Sequence, residues 1–213
     1  MRLFLKGFRV LSRGVVRGTL LVASLGLVGA PVAYANPAGE QVVAGSASFS
    51  RSGSTLQINT SDRVIINWQG FSINAGELTK FVQPSSASAA LNKVISGNPS
   101  SILGALQSNG RIYLINPNGI MVGAGATINC GAFIASTLDL ANSEFLAGGD
   151  LRLVGNSAAT IVNQGCISAS GGDVFLIARQ VENQGTILAP NGVAGLAAGN
   201  EVLLAESGSE RLF

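Results

Sequence analysis

Ile161-Val-Asn-Gln-Gly165 returns 20 residues later as Val181-Glu-Asn-Gln-Gly185. At the same offset Gly171-Gly-Asp-Val-Phe-Leu176 lines up with Asn191-Gly-Val-Ala-Gly-Leu196, and Gly148-Gly-Asp-Leu-Arg-Leu153 resembles both. Ile128-Asn-Cys-Gly131 reads as an earlier, imperfect copy of the first half. Each unit is a short apolar strand, an Asn-x-Gly or Gln-Gly corner, a second strand and a Gly-Gly corner. Repeats of about 20 residues with two or three strands each are the arithmetic of a parallel β-helix. A β-sandwich uses similar turns, but its turns need not recur at one offset with the same residues. Asn recurring at one corner predicts a ladder of hydrogen-bonded amides between coils.

Composition agrees and excludes alternatives. The 213 residues include 28 Gly and no His, with 47% hydrophobic but only 6% aromatic residues. Without histidine there is no Ser-His-Asp triad, no Cys-His dyad and no zinc site built on imidazole. Charged residues are 11% of the chain, against roughly a quarter in ordinary soluble domains, so charged disordered chains and heptad coiled coils are excluded.

The N-terminus has a different logic. Arg2, Lys6, Arg9, Arg13 and Arg17 precede an uncharged run from Thr19 to Ala33, which ends in Ala33-Tyr34-Ala35. A basic n-region, a short apolar h-region and an A-x-A site predict a signal peptide over 1–35, cleaved between Ala35 and Asn36. The run is shorter than the ~20 residues that cross a bilayer, and Pro31 interrupts it, so no stable membrane span is expected after cleavage. Export leaves 8 Lys+Arg against 11 Asp+Glu, a net charge of −3 in the mature domain. Nothing in it resembles a nucleic-acid-binding stripe. Cys130 and Cys166 both remain. In an oxidising compartment they can pair, or both can be buried free thiols.

Upstream of the repeat, Leu56 and Ile58 alternate with Gln57 and Asn59, the period of a half-buried strand. Arg63-Val-Ile-Ile-Asn-Trp68 predicts a second strand and Arg111-Ile-Tyr-Leu-Ile115 a third. Asn98-Pro99 ahead of Ser-Ser-Ile-Leu-Gly-Ala-Leu106 predicts one short helical turn, with Asn98 as N-cap and Pro99 at N1. Asn116-Pro117-Asn118-Gly119 is a tight turn, because Pro presets φ and Asn or Gly tolerates positive φ after it. The turn alone does not require both Asn residues, so a further role is left open. Trp68, the only Trp, reads as core. Aligning Ile128-Asn-Cys-Gly131 with Val162-Asn-Gln-Gly165 puts Cys166 two positions past the slot of Cys130, on one strand face, where pairing needs a shift of one slot.

Several collinear blocks resemble the secretion domain of two-partner secretion exoproteins of the filamentous haemagglutinin type. They are Val43-Ala-Gly-Ser46, Asp62-Arg-Val-Ile-Ile-Asn-Trp-Gln-Gly-Phe71, Phe81-Val-Gln-Pro-Ser-Ser86 and Ala90-Leu-Asn-Lys-Val94. Ile102-Leu-Gly104, Leu114-Ile-Asn-Pro-Asn-Gly-Ile-Met-Val-Gly123 and Ala135-Ser-Thr-Leu-Asp139 follow, then the Asn-Gln-Gly repeats. The resemblance implies an all-β fold, a right-handed single-stranded parallel β-helix of the pectin lyase-like kind over 36–213, with an N-terminal cap and small extra-helical strands. It also implies a secretion determinant recognised by the periplasmic POTRA domains of an outer-membrane barrel transporter. That transporter exports an adhesin or haemagglutinin to the medium or the cell surface, where host-cell or glycan surfaces are expected partners. The family's recognition motif falls on Asn116, Pro117 and Asn118, with Gly119 where many members have Leu; Asn67 and Trp68 belong to another family block. No catalytic group, metal or cofactor is implied. The chain stops as Glu201-Val-Leu-Leu-Ala-Glu206 begins another coil, which reads as a truncated frame or a solitary secretion domain.

The competing class is a β-helix polysaccharide-processing enzyme, a lyase or hydrolase. It would align carboxylates along one groove, and Gly148-Gly-Asp150 and Gly171-Gly-Asp173 offer two. Val193 in the third copy favours plain corner chemistry instead.

Overall fold

Backbone pairing turns the 20-residue repeat into a stack. In the computed structural model, which describes residues 36–205, Ile161 pairs with Val181, Cys166 with Thr186 and Val174 with Ala194. One offset therefore holds in three separate parallel ladders, as a coil of fixed perimeter requires. The expected signal peptide, 1–35, lies outside the described residues.

An antiparallel cap comes first, β1 (Gln41–Ala44) and β2 (Ala47–Ser52). β3 (Thr55–Thr60) and β4 (Val64–Trp68) begin the first coil, and β5 (Leu78–Val82), β6 (Ala89–Val94) and β7 (Ser100–Ile102) make the second. The third has β8 (Ala105–Ser108), β9 (Arg111–Ile115) and β10 (Ile120–Val122). In the fourth, β11 (Thr127–Cys130) and β12 (Ala132–Ser136) lead out to β13 (Asp139–Leu140), α1 (Asn142–Ala147) and β14 (Leu151–Val154). The chain then rejoins the stack as β15 (Thr160–Asn163). β16 (Cys166–Ala169), β17 (Val174–Ala178) and β18 (Gln180–Asn183) form the fifth coil, β19 (Thr186–Leu188) and β20 (Ala194–Ala198) the sixth. β21 (Glu201–Leu204) returns to pair with β14.

Three sheets run along the stack. Sheet I is β2-β3-β5-β8-β11-β16-β19, sheet II is β1-β4-β6-β9-β12-β17-β20 and sheet III is β7-β10-β15-β18. Only β1 and β2 pair antiparallel within them, closing the first edges of sheets II and I where unpaired backbone would otherwise face solvent. The fold is all-β with a parallel β-solenoid, as the repeat predicts. No helix among the described residues is long and apolar enough to cross a membrane.

Sheet I alternates because only one of its faces is dry: Leu56 and Ile58 enter the core while Gln57 and Asn59 face out. Sheet II carries unbroken apolar runs because both faces are covered. Val64 and Ile66 point into the main core, whereas Ile65 points out into a second core with Leu91, Tyr113, Phe145 and Leu153. The inserted segment from β13 to β14 supplies that cover. Two cations fasten it: Lys93 Nζ reaches Asp139 Oδ1 at 2.6 Å and Leu140 O at 3.1 Å, ahead of α1. Arg63 Nη1 donates to Phe145 O at 2.8 Å, a cation near the C-terminal end of the helix where the dipole favours it.

Four local expectations are corrected. Residues 98–106 form no helical turn; they enter β7 and β8, because Ser100 and Ile102 are buried and laddered to Ile120 and Val122, and neighbouring coils override local capping signals. Gly148-Gly-Asp150 is no coil corner but lies between α1 and β14, outside the stack. Ile128-Asn-Cys-Gly131 is not the counterpart of 162–165. Ile120–Val122 pairs with Ile161–Asn163, and the corner after it has four residues instead of two. The disulfide expected between Cys130 and Cys166 is corrected by the same register. Cys166 stands opposite Thr127 and Cys130 opposite Ala169, three residues apart along the strand, about 10 Å. An odd separation puts them on opposite faces, Cys130 in the core and Cys166 outside, both as free thiols. Such a distance exceeds what a bridge spans.

Two outcomes follow. The folded protein should take one alkyl group, at Cys166, while Cys130, whose thiol burial pushes well up, reacts only in denaturant; mass spectrometry without reductant reads both. In the cap, Arg51 grips Glu40 with two bonds of 2.8 and 2.9 Å, which holds the Glu40 carboxyl below its usual 4.5 and raises Arg51. A depressed carboxyl stabilises fully above its unfolded value and loses that contribution as pH falls through the folded one. Glu40→Gln should therefore cost less than about 1 kcal/mol at neutral pH, since Arg51 is largely solvated. Thermal melts should show that difference vanish in strong acid.

Candidate functional site

The turn 116–119 joins β9 of sheet II to β10 of sheet III. Gly119 N–H donates to Asn116 O at 3.1 Å, closing a four-residue turn. Gly119 has φ of +108°, and a Cβ there would come 3.2 Å from Thr160 O, so glycine meets both the backbone and the space. Pro117 is the exposed residue of the turn, and its carbonyl accepts from the Ser157 hydroxyl.

Asn116 is buried and spends its whole amide inside the protein. Nδ2 donates to Asn98 O at 3.0 Å and Ser100 Oγ at 2.9 Å, both on the preceding coil. Oδ1 accepts from Asn118 N at 2.9 Å and Asn118 Nδ2 at 3.2 Å. Asn118, half-buried, donates back to Ser96 O at 2.7 Å. Both amides thus latch the third coil to the corner 96–100 of the second. The sequence left open why both residues are Asn; the structure answers with this latch.

Trp68 lies in the core, as its default reading has it. Its ring meets Phe49 and Phe71 edge-on at 5.8 and 5.5 Å, and Nε1 donates to Asn92 Oδ1 at 3.0 Å. Asn92, fully buried, in turn donates to Tyr113 O and Ala90 O. Asn67 occupies the opposite face of β4, opposite Gln41 and Lys93. Trp68 is therefore no part of a surface with 116–119, whereas Asn67 stands in register, two rungs away, with Ile115, which precedes the turn. Ala35 lies outside the described residues. Asn36, which follows it, is tied into the first coils by Thr79 Oγ1 at 2.9 Å and Ser54 O at 3.0 Å.

The two carboxylates of the enzyme reading stand in different settings. Asp150 is exposed beside α1, while Asp173 sits at the corner before β17 and accepts Val193 N–H at 2.8 Å. The expected amide ladder is present: Asn163 Nδ2 donates to Asn183 Oδ1 at 2.7 Å and Gln164 Nε2 to Gln184 Oε1 at 3.2 Å. Sequence reasoning missed Asn92, Arg63 and Lys93. Their signal was a polar residue inside an apolar strand run, or a basic one at its border.

Comparison with known proteins now bears on this geometry. A family model described as the TPS secretion domain matches residues 33–211. A heme/hemopexin-binding protein of Haemophilus influenzae strain Rd is 40% identical over 105 residues, covering 49% of this chain and 12% of that protein. A second heme/hemopexin-binding protein of that species is 45% identical over 80 residues, 38% of this chain and 9% of that one. The matched stretches thus span about a tenth of these relatives. The crystal structure of the HMW1 secretion domain from Haemophilus influenzae superposes with a TM-score of 0.71 at 37% identity, covering 79% of this chain and 46% of that one. Fold, residue blocks and family model agree, and the chain belongs to the TPS secretion domain family, the secretion domains of two-partner secretion exoproteins.

Proposed function

We propose that this domain leads an exoprotein through the periplasm to an outer-membrane barrel transporter, whose POTRA domains engage it at Asn116, Pro117 and Asn118. The exoprotein then reaches the medium or the outer cell surface, where host-cell or glycan surfaces are its targets. The observation that carries this reading is the family match across 33–211. The HMW1 secretion domain's likeness in both fold and sequence supports it; nothing comparable supports the polysaccharide-processing enzyme.

The latch adds a constraint on timing. Once the third coil has closed, Asn116 has no amide group left for a partner, and Pro117 is the exposed member of the three. Recognition of all three side chains therefore belongs to a chain whose third coil is still open. A short polar segment in extended form is a ready ligand for another protein's strand or groove. Closing the coil withdraws it.

Stability and export can be separated. Asn116→Ala strands Asn98 O, the Ser100 hydroxyl and Asn118 N–H, and should cost about 1–3 kcal/mol. Pro117→Ala with Asn118→Ala removes an exposed ring and a half-buried amide, costing about 1 kcal/mol. Export of that double variant should fall far below a core variant of equal melting temperature. Equal secretion of the two would overturn recognition at this turn.

A further inference from the structure

The outer face of sheet II and the inserted segment enclose a groove of about 550 Å³, within the range of sites that hold small ligands. Its floor is one row of the sheet, Tyr113, Ile134 and Phe175, side by side on three successive rungs. The neighbouring row supplies the hollow. Ala89, Arg111 and Ala132 pair across consecutive rungs, and two alanines leave open space on either side of the arginine. Asp173 continues that row, its carbonyl accepting Phe133 N–H at 2.9 Å. Arg111 and Asp173 thus stand two rungs apart, about 10 Å, with an aromatic-bearing floor beside them.

Asp62 and Arg63 complete the charged rim at the corner before β4. Each rim group but one is anchored by a single bond: Asp62 Oδ1 takes Ala89 N–H at 2.9 Å, Arg63 Nη1 holds Phe145 O and Asp173 Oδ1 holds Val193 N–H. Burial pushes the Tyr113 phenol up, the nearby charges of Arg111 and Arg63 pull it back, and that of Asp173 pushes it up again. Each rim group keeps donors or acceptors to spare.

We infer that this groove binds a neutral, pyranose-rich oligosaccharide, a binding role of the domain itself that is separate from its engagement by a transporter. Two guanidinium groups and two carboxylates cancel in charge, so neither a polyanion nor a polycation gains from the field. A sugar hydroxyl both donates and accepts, and Arg beside Asp offers both partners. The half-buried Phe175 ring presents apolar surface to the C–H face of a pyranose, while Tyr113 lies beneath Phe145 and supplies the packed base of the groove. An extended peptide fits less well, because the floor strands already spend their backbone groups in ladders on both sides. A strand-adding ligand needs a free edge.

The chain as exported is titrated calorimetrically with cellohexaose, maltohexaose and chitohexaose, with oligogalacturonate as the anionic probe and a neutral hexapeptide as the strand probe. At least one neutral hexasaccharide should bind, and Arg111→Ala and Asp173→Asn should each weaken it by about tenfold or more, as loss of a hydrogen bond to a charged group does. Cys166→Ser, on the outer face of sheet I, should leave affinity unchanged, and circular dichroism and thermal melts should show every variant folded. Binding of none of the three sugars overturns the inference. So does binding of oligogalacturonate or the peptide alone, or sugar binding that survives both groove substitutions.

Discussion

Every rung of the solenoid hydrogen-bonds the rung above and below, and that ladder dictates the rest. Backbone groups inside the stack have no solvent to turn to, so each coil must close on the same perimeter as its neighbour. Corners bring backbones into contact. A Cβ at Gly165 would collide with the carbonyls of Gly123 and Ala126, and one at Gly185 with the Gly165 carbonyl, so these corners stay glycine. The Asn163–Asn183 contact settles a buried amide with its own kind one coil on. It is a side-chain copy of the backbone ladder.

Extra chain is tolerated only where it leaves the stack. After β12 the segment through α1 and β14 departs and returns at β15, and the ladder between β10 and β15 runs on undisturbed. Having left, it must bury its own apolar side chains. It does so on sheet II, which explains why that sheet alone is apolar on two faces. Lys93 and Arg63 fix the helical piece at its two ends, and where alanines replace bulk beneath it the groove opens. Cover, clamp and groove all follow from one excursion.

In the proposed function the turn at 116–119 would join packing to secretion. Its bonds to residues 96–100 form only when two coils are stacked, so the polar groups available to a partner before closure are consumed by it. In the proposed reading, binding by a transporter and completion of the third coil exclude one another. The contrast with Trp68 is instructive. Its indole is satisfied by Asn92 inside the core, a partner within the stack.

The sequence by itself determined the repeat length, the strand-and-corner grammar, the amide ladder and the family. All of these rest on patterns of period 2 or 20 that one dimension records, and on blocks of residues in order. Tertiary structure decided what depends on register between coils. Asn98-Pro99 carries a sound local cap signal, yet Ser100 and Ile102 were claimed by the ladder with β10. Gly148-Gly-Asp150 copies a corner in letters but sits outside the stack. Cys130 and Cys166 looked alignable until a four-residue corner against a two-residue one shifted their register and turned the sulfurs to opposite faces. Asn116 was legible as a turn residue, whereas its latch to the preceding coil was not, because its partners lie 16 and 18 residues away and belong to a neighbour only once the chain has wound past itself.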